Sequence, residues 1–484
     1  MPPPPDPGTP LSPEDLGFWW SDQPRQRTTM AMLMRLDRRP DPARLRAAMA
    51  RAVAAVPRLR QRVVDAPFDL ALPRWQDDPT FDLDFHLRRY ALAAPLAGED
   101  ERAALFRTLG PIYERPFDPT RPLWELIEIE AGDGAALFFR LHHAVADGVG
   151  GNAILAALTD ADRAGAPLPL VPHEKRPGPW REEPFAARLA RALGDRLRQD
   201  ADRAGALLGA LWQAAREPAR LRAAGQLVAS LADDARHTSE SPLRRFGRAR
   251  QLSGLEVPFA PLREARGALG GRTIDLLLTA VAGAMGRWHV AHQRGPRVRE
   301  LLTLVPINLR PREEQGLAAG TGNRATGIQV RLPIAIEDPR ARFDEIHRRV
   351  AERMAHPAAQ WFPQVAAVLA ALPRPLYRTA VWAASQGVDL IVTNVPGVPV
   401  PRYLAGAEIT DAFPFAPVAP HSPVSIALYG YRDRLFVGID ADAVAMPDAD
   451  GFRDLLAQSF AELVDAARSP AEPPRRRRRA RRRS

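Results

Sequence analysis

The chain has 484 residues, 46% hydrophobic and 26% charged, a composition that suits an ordinary soluble globular protein with room for more than one lobe. It contains no cysteine, which excludes disulfides, thiolate metal sites and a cysteine nucleophile, and its one lysine, Lys175, is not part of a phosphate-loop GK[ST] motif. Eight arginines at 475–483 account for most of the formal charge of +10, so the basicity is chiefly a tail.

In chain order, residues 1–10 (MPPPPDPGTP) have neither a basic n-region nor an apolar h-region and read as a short disordered arm, with no secretory signal expected. Residues 11–160 read as an N-terminal lobe of alternating helices and strands. Asp41 is an N-cap with Pro42 at the first helical position, and the helical spacing of apolar residues runs on until Pro57. The stretches 123–130 (LWELIEIE) and 135–143 (AALFFRLHH) are strand-like and separated by the turn signal AGDG, which predicts a hairpin ending on two histidines. A helix, VGGNAILAALTDA, follows.

Residues 161–250 form a connector: a proline-rich piece, APLPLVPHEKRPGPW, leads into arginine- and alanine-rich helix up to His237. Its arginines are spread around the helical faces, which favours a solvated helix pair bridging two lobes over an amphipathic surface resting on lipid. Residues 251–468 read as a C-terminal lobe, with TIDLLLTAVAGAMGRW as a buried helix and LLTLVPINLR, TGIQVRLPI, LIVTNVPG, VSIALYGY and RLFVGIDA as strands. Residues 469–484 are an arginine-rich tail, disordered until it meets a polyanion. The longest apolar runs, such as 204–215, fall short of the roughly 18 to 20 residues that a membrane span requires, so any membrane contact is expected to be peripheral.

The stretch LHHAVADGVGG (141–151) carries the chemistry. Successive side chains of a strand point to opposite faces, so His142 and His143 cannot both look into one cleft: one is catalytic and the other structural. An imidazole with its pKa near about 6.5 can take a proton from a hydroxyl at neutral pH and return it, provided a second hydrogen bond fixes its tautomer. Asp147 either caps the following helix or pairs with an arginine that braces the loop. Gly148 beside it tolerates the positive φ of a sharp turn.

HHxxxDG at a strand end, with a helix after it, resembles the acyltransferases of the chloramphenicol acetyltransferase type, which include condensation domains. Together with LSPEDLGFW (11–19), RPLWELIEI (121–129), VPINLRP (305–311) and TNVPGVPVPRYLAGAEI (393–409), the chain resembles the bacterial wax ester synthase/diacylglycerol acyltransferase family from about residue 11 to 467. The resemblance implies an α/β fold of two chloramphenicol acetyltransferase-like lobes, each a mixed β-sheet with flanking helices, and an active-site channel between them. It implies transfer of a long-chain acyl group from acyl-CoA, a co-substrate, to diacylglycerol or a long-chain alcohol, with no bound cofactor or metal.

Carried over residue by residue, the resemblance makes His143 the general base, framed by His142, Asp147 and Gly148. Pro122, Leu123 and Trp124 match the PLW block, and Asn394, Val395 and Pro396 the NVP block. One block departs from the family pattern: its usual Asn-Asp pair reads Ile274-Asp275 here. Each block also has a plainer reading. Trp124 suits core packing, Asn394 before VPG suits a turn, and Asn308 and Arg310 between prolines could simply end a strand, unless Arg310 is the partner of Asp147.

The expected partners are acyl-CoA, a lipid hydroxyl and, through Arg475–Arg483, an anionic membrane or lipid droplet on the cytoplasmic side. Nucleic acid is disfavoured, since no interleaved aromatic residues accompany the basic tail. Oligomeric state has no signal in the sequence. Two rival readings stand beside this one: a condensation-type enzyme with a carrier-bound donor, and a non-catalytic lipid-droplet binding protein of the same fold.

Overall fold

The computed structural model describes residues 8–24, 26–131, 134–166, 168, 183–216, 240–292, 298–308, 325–355, 369–370, 372–419 and 421–469. The first half of the chain runs β1 (Thr9–Pro10), α1 (Pro13–Ser21), β2 (Thr29–Leu36), α2 (Pro42–Ala55), β3 (Gln61–Val64), β4 (Arg74–Asp77), α3 (Leu83–His86), β5 (Leu87–Ala91), α4 (Glu101–Glu114), β6 (Trp124–Ala131), β7 (Gly134–His142), α5 (Gly148–Leu158) and α6 (Phe185–Arg216). The second half continues with β8 (Arg250–Pro258), α7 (Phe259–Leu269), α8 (Thr273–His292), β9 (Leu301–Asn308), β10 (Ala325–Leu332), α9 (Pro339–Ala355), α10 (Arg374–Ser385), β11 (Leu390–Val398), β12 (Tyr403–Leu404), β13 (Ala407–Phe415), β14 (Val424–Tyr431), β15 (Arg434–Asp442) and α11 (Ala449–Arg468).

Local signals explain the elements nearest the site. Asp41 caps α2 by accepting the Arg44 backbone N–H at 2.8 Å, with Pro42 in the first turn, and the helix ends at Ala55 ahead of Pro57. β6 and β7 pair antiparallel as the predicted hairpin. β7 is buried almost end to end because it is an inner strand covered on both faces. Its one buried cation, Arg140, is held by Glu125 at 2.9 Å and donates to the carbonyls of Ile112 and Arg115 at the end of α4. α8 is apolar nearly all round and is correspondingly a core helix.

The strands assemble into two six-stranded mixed sheets, in the orders β12-β13-β2-β7-β6-β5 and β10-β9-β11-β14-β15-β8, and a small β1-β4-β3 sheet. Each large sheet has its own hydrophobic core. The first large sheet is completed by strands from the far end of the chain, since β13 lies antiparallel to β2 with Ala412 opposite Met34 and Pro414 opposite Met32. β13 also crosses the second sheet closely: a Cβ on Gly438 of β15 would sit 1.7 Å from the Pro414 carbonyl oxygen. Backbone meets backbone where the two sheets face each other. α6, in the connector, touches the first lobe through an Arg74–Asp195 ion pair at 3.0 Å and the Phe68–Phe185 ring pair. The rest of the predicted connector helix, residues 1–7 of the N-terminal arm and the arginine tail fall outside the described residues; the end of the arm is not disordered as expected, because Thr9 and Pro10 pair with Trp75 and Arg74 of β4.

Candidate active site

The paired histidines sit where β7 ends, gripped from both sides by backbone. The His142 N–H donates to the Leu123 carbonyl at 2.9 Å, and the His143 N–H donates to the Thr28 carbonyl at 2.7 Å. The two rings then part company, as strand alternation requires. His142 is 2% exposed, and the Ala144 backbone N–H donates to its Nδ1 at 3.1 Å. A backbone amide can only donate, so the ring proton is on Nε2, 2.8 Å from Thr28 Oγ1, and the Thr28 hydroxyl in turn donates to the Phe18 carbonyl at 3.3 Å. Burial, helped by the neighbouring His143 and Arg27, pushes the His142 pKa down to about 3. His142 is a neutral strut that ties the motif to the end of α1.

That tie positions the other ring. His143 stacks on Phe18 of α1, with centroids 3.9 Å apart and planes 19° from parallel, and lines a cavity of about 220 Å³ between the two large sheets. The wall is mostly apolar: Met30 and Phe139 from the first sheet face Leu304 and Ile391 from the second. Asp147 and Asn394 also border the cavity. Asp147 takes the capping role, accepting the Gly150 N–H at 2.8 Å at the start of α5.

Gly148 serves a different purpose from the one its neighbours suggested. It is not among the glycines with positive φ, because the extended backbone of Asp147 makes the turn and Gly148 already belongs to the helix. Its bare Cα makes room for Val395: a Cβ there would lie 3.1 and 3.2 Å from the two Val395 methyls. The HHxxxDG and NVP blocks thus meet through a glycine. Asn152, one turn along α5, donates from Nδ2 to the Pro396 carbonyl at 2.5 Å and joins the same two elements.

Asn394, Val395 and Pro396 therefore line the cavity with His143. The PLW block does not. Leu123 and Trp124 are buried in the core, with Trp124 Nε1 donating to the Leu59 carbonyl at 2.7 Å and its ring stacked on His86. Pro122 closes the turn ahead of them, its carbonyl accepting the Trp124 N–H at 3.0 Å. The block reaches the site only through the Leu123 carbonyl that holds His142, so of the two readings open for Pro122, Leu123 and Trp124, substrate channel or structural motif, the geometry favours the structural one.

Asp275 is also remote from the cavity. Fully buried at the start of α8, it accepts the Arg272 N–H at 2.8 Å and faces His347 Nδ1 of α9 at 2.8 Å, bracing two helices of the second lobe. Ile274 packs against that lobe's core. Asn308 ends β9 opposite Ala325. Arg310 lies outside the described residues, as does the tail. Thr28, Phe18 and Asn152 were not singled out from the sequence. Asn152 carried a signal, an amide in an otherwise apolar helix; Thr28 carried none. Among the described residues no group of His, Asp and Glu side chains could hold a metal ion.

A single imidazole beside an apolar cleft between two sheets can exchange a proton with a hydroxyl bound there. Comparison with known proteins identifies the lineage. The model of the wax ester synthase/diacylglycerol acyltransferase catalytic domain matches residues 11–277, and that of the WS/DGAT C-terminal domain matches residues 321–464. The chain belongs to the wax ester synthase/diacylglycerol acyltransferase family.

A relative from Mycobacterium tuberculosis, whose name provisionally assigns it diacylglycerol O-acyltransferase activity, is 31% identical over 460 residues, covering 93% of this chain and 90% of the relative. The solved wax ester synthase/diacylglycerol acyltransferase from Marinobacter aquaeolei has a similar fold, with a TM-score of 0.62 at 19% identity, covering 95% of this chain and all of that one. The starter condensation domain of rhizomide synthetase, solved with C8-CoA and Leu-SNAC, has a TM-score of 0.57 at 15% identity, covering 95% and 94% of the two chains. The two-lobed fold expected of the family is the fold observed, and the chain is an acyltransferase of that family.

Proposed function

We propose that this enzyme transfers a long acyl group from acyl-CoA to the hydroxyl of diacylglycerol or of a long-chain alcohol, by direct attack within a ternary complex. The observation that carries this reading is His143 at the wall of an apolar cavity between the lobes, with its neighbour His142 held neutral as a strut. His143 removes the hydroxyl proton as the oxygen attacks the thioester carbonyl. The tetrahedral intermediate collapses with loss of the C–S bond, and the same proton passes to the departing CoA sulfur. No acyl-enzyme is invoked, since the chain has no cysteine and no G-x-S-x-G elbow. The side-chain amide of Asn394, on the facing lobe, is the proposed donor to the oxyanion.

The C8-CoA bound by a condensation domain of the same fold supports a CoA thioester as donor. Either acceptor partitions into lipid, and no single helix among the described residues is long and apolar enough to cross a membrane. We therefore propose peripheral docking of Arg475–Arg483 on an anionic cytoplasmic membrane face or lipid droplet, each arginine adding up to about 1 kcal/mol. Co-sedimentation with anionic liposomes, with and without residues 475–483, tests the tail; equal binding dismisses it.

The test of the reaction is labelled hexadecanoyl-CoA offered with dioleoylglycerol and with hexadecanol. Labelled triacylglycerol or wax ester is the expected product. Ester formed only from an acyl-carrier protein supports the condensation-type rival, and no ester from any donor supports a binding protein.

A further inference from the structure

The cavity beside His143 does not end there. A second chamber of about 210 Å³ adjoins it between α5, β2, β13 and the end of β11, and the two share Met32, Asn152, Leu155 and Pro396. The Asn152–Pro396 hydrogen bond marks the division between them.

The path between the chambers can be followed along β2. Met30 lines the first chamber, Met32 both and Met34 the second. Alternate residues share a strand face, so Met30 to Met34 spans about 13 Å at roughly 3.3 Å per residue. β13 runs beside it in register, with Pro414 at the first chamber opposite Met32 and Ala412 at the second opposite Met34. α5 covers the same path, and Ala156 and Thr159 reach only the second chamber. The three methionines give an apolar, adaptable wall. The far end is polar, at Thr159 and at Arg402, whose backbone N–H donates to Tyr431 Oη at 2.8 Å. A straight, apolar, two-part slot that starts at the base and ends at polar groups has the shape of a binding site for a linear alkyl chain.

We propose that the second chamber receives the distal methylenes of a long alkyl chain whose reacting end lies at His143, and that Ala156 and Ala412, small residues on opposite walls, set the chain length accepted. This rests on the acyl transfer proposed above. The chain could belong to the acyl donor or to the alcohol acceptor, which share this chemistry.

The experiment measures kcat/KM for two series with the full-length protein: octanoyl- to hexadecanoyl-CoA with one alcohol, then octanol to hexadecanol with one acyl-CoA. Ala156→Leu and Ala412→Leu fill the chamber from the helix side and the strand side, so agreement between them is independent of damage to either element. Each methylene lost from the chamber removes up to about fourfold in kcat/KM, so the longest substrate is expected to fall at least about tenfold while the octyl substrate stays within about twofold. The series that shows this break identifies the chain that occupies the slot. If folded variants with unchanged melting temperature keep wild-type profiles in both series, the chamber proposal is overturned. A wild-type protein that forms no ester in either series, nor from the acyl-CoA series with dioleoylglycerol in place of the alcohol, instead overturns the reaction on which the proposal rests.

Discussion

Replacing Thr28 with valine tests the linkage that positions the site. The substitution keeps the branched shape and leaves the Thr28 carbonyl, which holds the His143 N–H, in place. It removes the acceptor of the His142 Nε2–H and the donor to the Phe18 carbonyl. His142 is 2% exposed, so its stranded donor cannot turn to water. A buried unsatisfied donor costs about 1 to 3 kcal/mol and an ordinary lost hydrogen bond about 1 kcal/mol, giving a destabilisation of roughly 2 to 4 kcal/mol. Phe18, no longer tied to the motif, lets the stacked His143 ring wander, and a misplacement of that kind lowers turnover by about tenfold to a hundredfold. Thr28 does not line the cavity, so KM should change little. Urea unfolding gives the first quantity and steady-state kinetics with hexadecanoyl-CoA the second. A Thr28→Val protein with the wild-type urea midpoint and wild-type kcat refutes the proton assignment on His142 and the tie to α1 together.

Asn394→Ala should lower kcat by about 10² to 10³-fold if the amide stabilises the oxyanion, and a loss confined to KM counts against that role. Asp275→Ala should reduce stability by about 1 to 3 kcal/mol, through loss of the helix bond and the contact with His347, and leave kcat alone; a drop in kcat in a folded variant brings Asp275 into the chemistry. Stability should fall with acidification. Burial depresses His142 to about 3 and His289 to about 4, below the unfolded value of about 6.5, so the unfolded chain takes up both protons first and stability is lost progressively as pH falls below about 6.5. Asp440, raised to about 6 by burial, acts the other way as pH falls below 6, offsetting one of the two. The net slope from these groups is about 1.4 kcal/mol per pH unit between about 6 and 4, and a urea midpoint that rises on acidification contradicts it.

The parts of the fold legible in the sequence are those governed by local chemistry. The hairpin of β6 and β7, the capped start of α2, the apolar α8 and the β14–β15 pair follow from alternation, capping and turn residues. β2 and β13 were not legible. β2 is buried over most of its length, so Thr29–Leu36 shows no alternation. β13 contains Asp411 and Pro414, both unusual inside a sheet. Their compensation comes from far away: Arg35 meets Asp411 at 3.2 Å, and the two-residue β12 ends before Pro414, so the missing N–H costs no ladder bond on that side. The divergence of the two histidines followed from strand geometry, but which ring was the strut depended on Thr28, a residue with no local signature. The role of Gly148 depended on Val395, nearly 250 positions away, and was misread as a backbone effect for that reason.

In the proposed reaction His143 alone moves the proton in ester formation. Transfer from labelled hexadecanoyl-CoA to dioleoylglycerol, measured with wild-type protein and His143→Ala at equal folded concentration, tests it most directly. The expected result is a loss of about 10² to 10⁴-fold in kcat with the melting temperature nearly unchanged. A His143→Ala enzyme that forms triacylglycerol at the wild-type rate removes His143 from the chemistry.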